Sequence, residues 1–327
     1  MTQCLIIQPI HPDGIALLEA ASISPVMAYG QDMASVAAQI GDMAAAITRN
    51  AGLNRHAMAQ AGKLRVLGNH GIGVDPVDVS YATEIGLPVA YTPYANVQSV
   101  AEQVIAHMLA IAKRVREADH SVRSGKFDYR YSRDFRELSG KTLLICGFGR
   151  IGRRVAAMAK NGFDMRVQVW SPSVATAEIE QAGCHAVIHL DEALAIADYV
   201  SLHQTLTAQT RGLFSRDRLF RMKPGATLIN TARGAIVDTD SIIEAVENGH
   251  LRGAAFDVFD QEPLPESHPL CRCDGIVLAP HIGGSTEEAA RRTALQAAQA
   301  VIDVLAGRKP QYLVNPDVWS RRRTPGA

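Results

Sequence analysis

Three side chains in the second half of the chain have the types that acid–base chemistry on an organic acid requires. They are Arg233 in INTARGAIVD, Glu262 in DVFDQEPLP and His281 in LAPHIGGST. Each follows a short apolar run that reads as a strand, and in doubly wound sheets the carboxyl ends of strands line the ligand crevice. Arginine offers a planar fork matched to a carboxylate. Histidine exchanges a proton near neutral pH, and a neighbouring carboxylate orients its ring. Taken singly, each has a blander reading: a surface charge, a solvated turn before Pro263, a structural loop histidine.

A glycine loop gives the three a common purpose. Gly147-Phe148-Gly149-Arg150-Ile151-Gly152 directly follows the run TLLIC and opens the helical run RIGRRVAAMAK. The first glycine permits a tight turn, the second lets backbone approach a pyrophosphate, and the third lets helix and strand pack closely. The diphosphate then rests on a helix N-terminus, where unpaired N–H groups and the dipole favour anions. Hydride transfer to a 2-keto acid needs a carboxylate anchor, a proton donor for the carbonyl oxygen and a group that tunes the donor. The next strand, VQVW, should end in an acidic residue that grips the ribose hydroxyls, but Ser171-Pro172-Ser173 stands there. That substitution removes the repulsion a 2′-phosphate would meet, and no Arg or Lys in the next few residues attracts one. NAD and NADP both stay open.

These residues need a scaffold, and the composition supplies one. Of 327 residues, 47% are apolar, enough for a substantial core and, at roughly 100–200 residues per domain, for about two domains. The 33 basic residues balance 33 acidic ones, which removes the electrostatic case for a nucleic-acid or membrane-surface partner. No apolar stretch approaches the ~18 residues of a membrane span, and the N-terminus MTQCLIIQPIHPDG lacks a basic leader, so a soluble, cytoplasmic protein is expected. Five scattered cysteines suit that compartment as reduced thiols. The pair Cys271-Arg-Cys273 lacks zinc-ligand spacing and a second pair, so no metal site is expected.

Strand and helix patterns alternate almost throughout, the signature of an α/β architecture with parallel sheets. CLIIQPI, AAAITRN, LRVLGNH and LPVAYTP form a first series of strand runs. A long helix is expected from Ser99, as N-cap, to about Ala118. The polar and aromatic segment GKFDYRYSRDFRELSG reads as a connection or flap, and a second series follows: KTLLICGFG, MRVQVWS, AVIHL, ADYVSLH, ATLINTA, GAAFDVF and GIVLAPH. A final helix is expected from Thr286 to Ala306, ending at Gly307. The pattern places a Rossmann-type dinucleotide domain at 99–290, inserted into a second α/β domain formed by 1–98 and 291–327.

Six motifs in order, GIGVDPVDV, SVAEQVIAHMLA, GFGRIG, NTARGAIVD, AFDVFDQEPLP and APHIGGST, resemble those of the D-isomer-specific 2-hydroxyacid dehydrogenases. That group includes glyoxylate/hydroxypyruvate reductases and phosphoglycerate dehydrogenase, and the resemblance runs from about Leu64 to Asn315. It implies His281 as general acid/base, Glu262 as its partner and Arg233 as the anchor that binds the carboxylate and polarises the carbonyl. It implies that the backbone at Ile72 and Gly73 cradles the same carboxylate, with Asn96 nearby. On the cofactor side it implies Gly147, Gly149, Arg150, Ile151, Gly152, Ser171, Gln204, Thr231, Asp257 and Gly283, with Asp257 holding the nicotinamide amide. The implied fold is a Rossmann domain inserted into a flavodoxin-like substrate domain, and the implied assembly is a homodimer.

Two departures stand out: Ser171 in place of the usual Asp, and His203-Gln204-Thr205 without the proline often found after the histidine. The sequence ends at Ala327, which sets an expectation against the long, serine-regulated form of phosphoglycerate dehydrogenase. Arg49, His70 and the 129–136 flap are candidates for reading the distal end of a substrate, and an inward Arg49 would suit a second anionic group. A different class, a dinucleotide-sensing binding protein of the corepressor type, is the alternative. It would call for a partner-binding segment or basic tail, and the one basic cluster, Arg321-Arg322-Arg323, reads more simply as a solvated terminus. A formate-type reaction needs no acid–base residue, so the complete Arg/Glu/His set argues against it.

Overall fold

The computed structural model describes residues 2–324, so Met1 and residues 325–327 of the expected outer domain lie outside the described residues. The chain divides into two compact units, Met1–Asn96 with Gly284–Ala327, and Val97–Gly283. The division falls at 96/97 and 283/284, whereas the sequence pattern suggests 98/99 and 290/291. The shift follows from two helices. Val97–Ala112 belongs to the second unit from its first turn, and Glu287–Leu305 belongs whole to the first.

The first unit is a five-stranded parallel sheet of β1 (Thr2–Ile6), β2 (Ile23–Met27), β3 (Ala45–Thr48), β4 (Val66–Asn69) and β5 (Val89–Ala90). Its order β2-β1-β3-β4-β5 is the flavodoxin-like one. Strands β3 and β4 are buried at every residue, as parallel strands covered on both faces must be. One face carries Leu5, Ala46, Leu67 and Val89, and the other carries Ile6, Ile47 and Val66 against Ala297, Ala298 and Val301 of the last helix. That helix starts where Thr286 accepts the Ala289 amide, and the chain leaves it at Gly307, whose φ of +78° suits a residue without a Cβ. Strand β2, ISPVM, has no counterpart in the sequence reading, because Ser24-Pro25 resembles a break. An edge strand tolerates that proline, since its outer side needs no N–H donor. The C-terminal arginines also differ from expectation. Arg323 donates to the carbonyls of Ile85 and Ala61, both at 2.9 Å, and Arg322 stacks 3.9 Å from the Trp319 ring centroid, so the cluster fastens the tail.

The second unit is a seven-stranded parallel sheet of β6 (Thr142–Cys146), β7 (Arg166–Trp170), β8 (His185–Ala186), β9 (Tyr199–Leu202), β10 (Thr227–Asn230), β11 (Gly253–Phe256) and β12 (Ile276–Leu278). The order β12-β11-β10-β9-β6-β7-β8 runs outward both ways from a reversal between β6 and β9, the topological switch point of a Rossmann sheet. Leu143, Ile145 and Val169 pack on one face with Val104 and Met108 of the helix Val97–Ala112; Leu144, Val200 and Leu228 pack on the other with Phe214 and Leu219.

Ser99 does not cap that helix. It lies within the first turns, buried, and its hydroxyl donates to the Gly283 carbonyl. The helix also stops short of Ala118. Arg114 is left-handed at φ +49°, and a separate helix runs Val115–Arg123. Arg114 is held there by Asp134 at 2.8 Å. The flap contains only a 3-10 turn, Phe127–Tyr131, on which Phe127 and Tyr131 are exposed.

Candidate active site

The candidates of the second unit stand at the carboxyl ends of strands, on the loop that leaves the strand or, for Arg150, Ile151 and Gly152, in the first turn of the helix that follows. Gly147 follows β6, Ser171 follows β7, Gln204 follows β9, Thr231 and Arg233 follow β10, Asp257 follows β11 and His281 follows β12. One sheet edge therefore carries the glycine loop at the switch point and Arg233, Glu262 and His281 two to four strands away.

The glycine loop has the geometry its three glycines suggest. Gly147 sits at φ +100°, and a Cβ there would meet the His203 carbonyl at 2.9 Å. A Cβ on Gly152 would meet the Gly147 carbonyl oxygen at 2.2 Å, so the helix Arg150–Phe163 lies against the turn only because position 152 is bare. Gly149 is different: a Cβ there meets nothing within 4 Å, which leaves the approach to the loop open. Gly149 also caps the helix without a side-chain bond, so the first-turn amides are available to an anion. Gln204 Oε1 and Thr231 Oγ1 are buried without a hydrogen-bond partner, an arrangement proteins avoid unless a ligand or water completes it. An open approach, available amides and two orphaned acceptors fit a dinucleotide. His203, half-buried beside the loop, is driven down to about 3 by burial and is neutral; its Nε2 lies 2.8 Å from Ser201 Oγ.

The departure at Ser171 also acquires a geometry. Ser171 is buried, and its hydroxyl accepts the Phe148 amide at 3.3 Å, tying the end of β7 to the glycine loop without a charge. The sequence shows no basic residue following Ser171, but the fold brings one from the helix. Arg153 lays its guanidinium 4.4 Å from the Phe148 ring centroid and pairs with Glu178 at 2.6 Å.

The acid–base pair is direct. His281 Nδ1 lies 2.7 Å from Glu262 Oε2, and Glu262 Oε1 accepts the Phe259 amide at 3.0 Å. Burial pushes the Glu262 carboxyl up, but the bond from His281, the Phe259 amide and the charges of His281 and Arg233 together hold it below the usual glutamate value. His281 has φ +55°, a left-handed conformation that costs a non-glycine residue roughly 1–2 kcal/mol. Such strain clusters where a side chain must be aimed. About a third of each side chain stays accessible, 31% for His281 and 30% for Glu262, so the pair can meet a ligand.

Asp257 supports this corner. Its two carboxylate oxygens accept the amides of Ile282 and Gly283, each at 2.8 Å, which fixes the turn just past His281. Burial raises its carboxyl above the ordinary value against the opposing pull of those two amides. Two further residues escape the sequence reading. Asn230, fully buried, donates to the Arg233 carbonyl at 2.8 Å and accepts the Ala232 amide at 3.0 Å. Gly234 lets the Phe259–Asp260 backbone pass where a Cβ would sit 2.2 Å from Phe259 C. The bare position beside Arg233 in TARG, and the asparagine closing the strand before it, are the available signals.

The remaining candidates belong to the first unit. Asn69 donates to the carbonyls of Gly71 and Gly73, at 3.1 and 2.9 Å, and so ties back the oxygens of the loop that contains Ile72. Asn96 Oδ1 is buried without a partner. His70 is buried and lowered to about 4 by that burial and by the nearby Arg49 charge. Arg49 itself donates to the Pro9 carbonyl at 2.9 Å. Among the described residues, no group of three His, Cys, Asp or Glu is placed to hold a metal, and no helix is long and apolar enough to cross a membrane.

Residues 105–283 match the family described as D-isomer specific 2-hydroxyacid dehydrogenase, NAD binding domain. A glyoxylate reductase of Thermofilum pendens is 38% identical over 83% of this chain and 80% of its own length. A D-3-phosphoglycerate dehydrogenase of Methanocaldococcus jannaschii is 35% identical over 96% of this chain, which spans only 60% of that relative's length. The crystal structure of the D-lactate dehydrogenase of Aquifex aeolicus, complexed with NAD and lactic acid, superposes with a TM-score of 0.84 at 26% identity, covering 96% of this chain and 99% of that one. The fold and the glycine loop are those of a dinucleotide-binding α/β protein. The chain belongs to the D-isomer specific 2-hydroxyacid dehydrogenase family. These relatives carry the names of reductases and dehydrogenases, which supports an oxidoreductase and not the corepressor-type alternative.

Proposed function

We propose that the chain is an NAD(P)-dependent oxidoreductase that interconverts a small 2-keto acid and its D-2-hydroxy acid, acting on the CH–OH group. The observation that carries this reading is the Arg233, Glu262 and His281 set on the same sheet edge as an open glycine loop. The reduced nicotinamide, when bound, supplies a hydride to C2 of the keto acid. Arg233 holds the substrate carboxylate through its fork and polarises the adjacent carbonyl. His281 gives a proton from Nε2 to the carbonyl oxygen as negative charge develops there, while Nδ1 stays on Glu262. Glu262 fixes the ring and balances the charge His281 carries before the transfer. In the oxidative direction His281 takes the proton back.

Ile72, Gly73 and Asn96 are proposed carboxylate contacts; the tied-back carbonyls of Gly71 and Gly73 support the part of the loop, and Asn96 would donate through Nδ2. Gly147, Gly149, Arg150, Ile151, Gly152, Ser171, Gln204, Thr231, Asp257 and Gly283 are the proposed cofactor residues, and the cofactor is NAD or NADP. A homodimer and a cytoplasmic location complete the proposal. The exposed Val115, Val122, Phe127 and Tyr131, unusual for a surface left to water, support the dimer.

The test follows NADH and NADPH oxidation, separately, with glyoxylate, hydroxypyruvate, pyruvate, phosphohydroxypyruvate and sulfopyruvate. Turnover with any of them, giving glycolate from glyoxylate or the D-hydroxy acid from the others, is the expected result. Absence of turnover with all five, in protein that binds dinucleotide, contradicts the proposal for this substrate class.

A further inference from the structure

We infer that Arg153 receives the 2′-phosphate of NADPH, so that the chain binds NADPH in preference to NADH. The inference rests on the dinucleotide reading above and adds to it a residue that selects between the two cofactors. In a Rossmann sheet the residue after the second strand meets the adenosine ribose, and an acidic one there favours NAD. Here that residue is Ser171, uncharged, buried and bonded through its hydroxyl to the Phe148 amide. Phe148 is the shared neighbour: its amide carries Ser171 and its ring carries the Arg153 guanidinium at 4.4 Å. Phe148 thus links a cation to Ser171, the residue at which the ribose 2′ position is read. Arg153 is adjacent in sequence to Gly152, in the first turn of a helix whose N-terminus already favours anions.

Glu178 is the charge that opposes this role. Its Oε1 lies 2.6 Å from Arg153 Nη2. The two side chains are 36% and 54% exposed, and ion pairs so open to water contribute little to stability. A phosphate brings close to two negative charges and three acceptor oxygens, against one charge on a carboxylate, and matches the guanidinium fork bidentately. The Arg153–Glu178 pair thus holds the guanidinium extended over Phe148 until a phosphate takes it. The Phe148 stack supplies that extension without consuming the N–H donors.

The experiment titrates adenosine 2′,5′-bisphosphate and 5′-AMP by calorimetry into the full chain, its Arg153→Ala and Arg153→Lys variants, and Glu178→Gln. Wild type is expected to bind the bisphosphate at least ~10-fold more tightly than AMP. Arg153→Ala is expected to lower the bisphosphate affinity about 10- to 100-fold relative to AMP, the range for one lost hydrogen-bonded charge contact. Arg153→Lys is expected to recover part of the loss, and Glu178→Gln to tighten the bisphosphate alone. The ratio of kcat/KM for NADPH over NADH is expected to follow the same order. AMP binding with no 2′-phosphate preference in wild type, or an equal loss for both ligands in Arg153→Ala, overturns the inference and leaves the dinucleotide reading standing. Binding of neither nucleotide by folded wild type overturns the dinucleotide reading itself, and the inference with it.

Discussion

Asn230 fixes the turn that presents Arg233. Its side-chain nitrogen donates to the Arg233 carbonyl at 2.8 Å, and its oxygen accepts the amide of Ala232, the residue just before. A fully buried asparagine at the last position of β10 thus sets the backbone from which the guanidinium springs. Gly234, on the other side, admits the Phe259–Asp260 backbone, which leads to Glu262. The segment that carries the anchor and the one that leads to the acid–base pair therefore pass in close backbone contact.

Asn230→Ala should test the hold on Arg233. It leaves the buried Ala232 N–H without its partner, at about 1–3 kcal/mol, while the Arg233 carbonyl keeps the Ile236 amide at 3.3 Å. Chemical denaturation should show a loss of that order, and kcat/KM for the keto acid should fall more steeply than cofactor affinity. A variant that unfolds earlier but keeps full kcat/KM would show that Asn230 serves the fold and not Arg233.

Acid should act through Glu262. Its carboxyl is held below the ordinary value of 4.5 despite burial, so below that value the unfolded chain binds the proton more readily than the folded one. Stability contributed by the His281 contact is present above the ordinary value and is lost as pH falls through the depressed one. Thermal unfolding of wild type and Glu262→Gln across that interval should show curves that converge at the acid end and separate above it. Parallel curves would mean that the carboxylate gains nothing from His281.

Two glycines of the loop should fail differently. Gly149→Val places its side chain in open space, so the fold should persist within ~0.5 kcal/mol while dinucleotide affinity falls at least ~10-fold. Gly152→Ala drives a methyl to 2.2 Å from the Gly147 carbonyl oxygen and should cost about 1–3 kcal/mol of stability as well. Calorimetric unfolding and nucleotide titration of the two variants would check the contrast. Equal stability losses would contradict the separate roles.

Sequence patterns make much of this molecule legible, and the gaps have physical causes. The strand runs of the second unit stand out best at β6, β9, β10 and β11, which are buried at every residue and so largely apolar. β2 is hidden because edge strands escape that requirement and accept Pro25. Ser99 resembles an N-cap, yet its hydroxyl is committed to Gly283, far away in sequence, and periodicity carries no information about such a bond. Arg233, Glu262 and His281 are recognisable by type and by their places after strands. Asn230 and Arg153 are not, since one acts through backbone and the other meets Phe148 and Glu178 only once the helix is wound.

The most direct test of the acid–base assignment compares His281→Gln with wild type on the keto acid that wild type reduces fastest. Dinucleotide affinity and the single-turnover rate of nicotinamide oxidation would be measured on the same preparations. Loss of the proton donor should lower the rate by about 10²–10⁴-fold and leave the affinity within about twofold. A rate close to wild type would contradict His281 as the group that protonates the substrate oxygen.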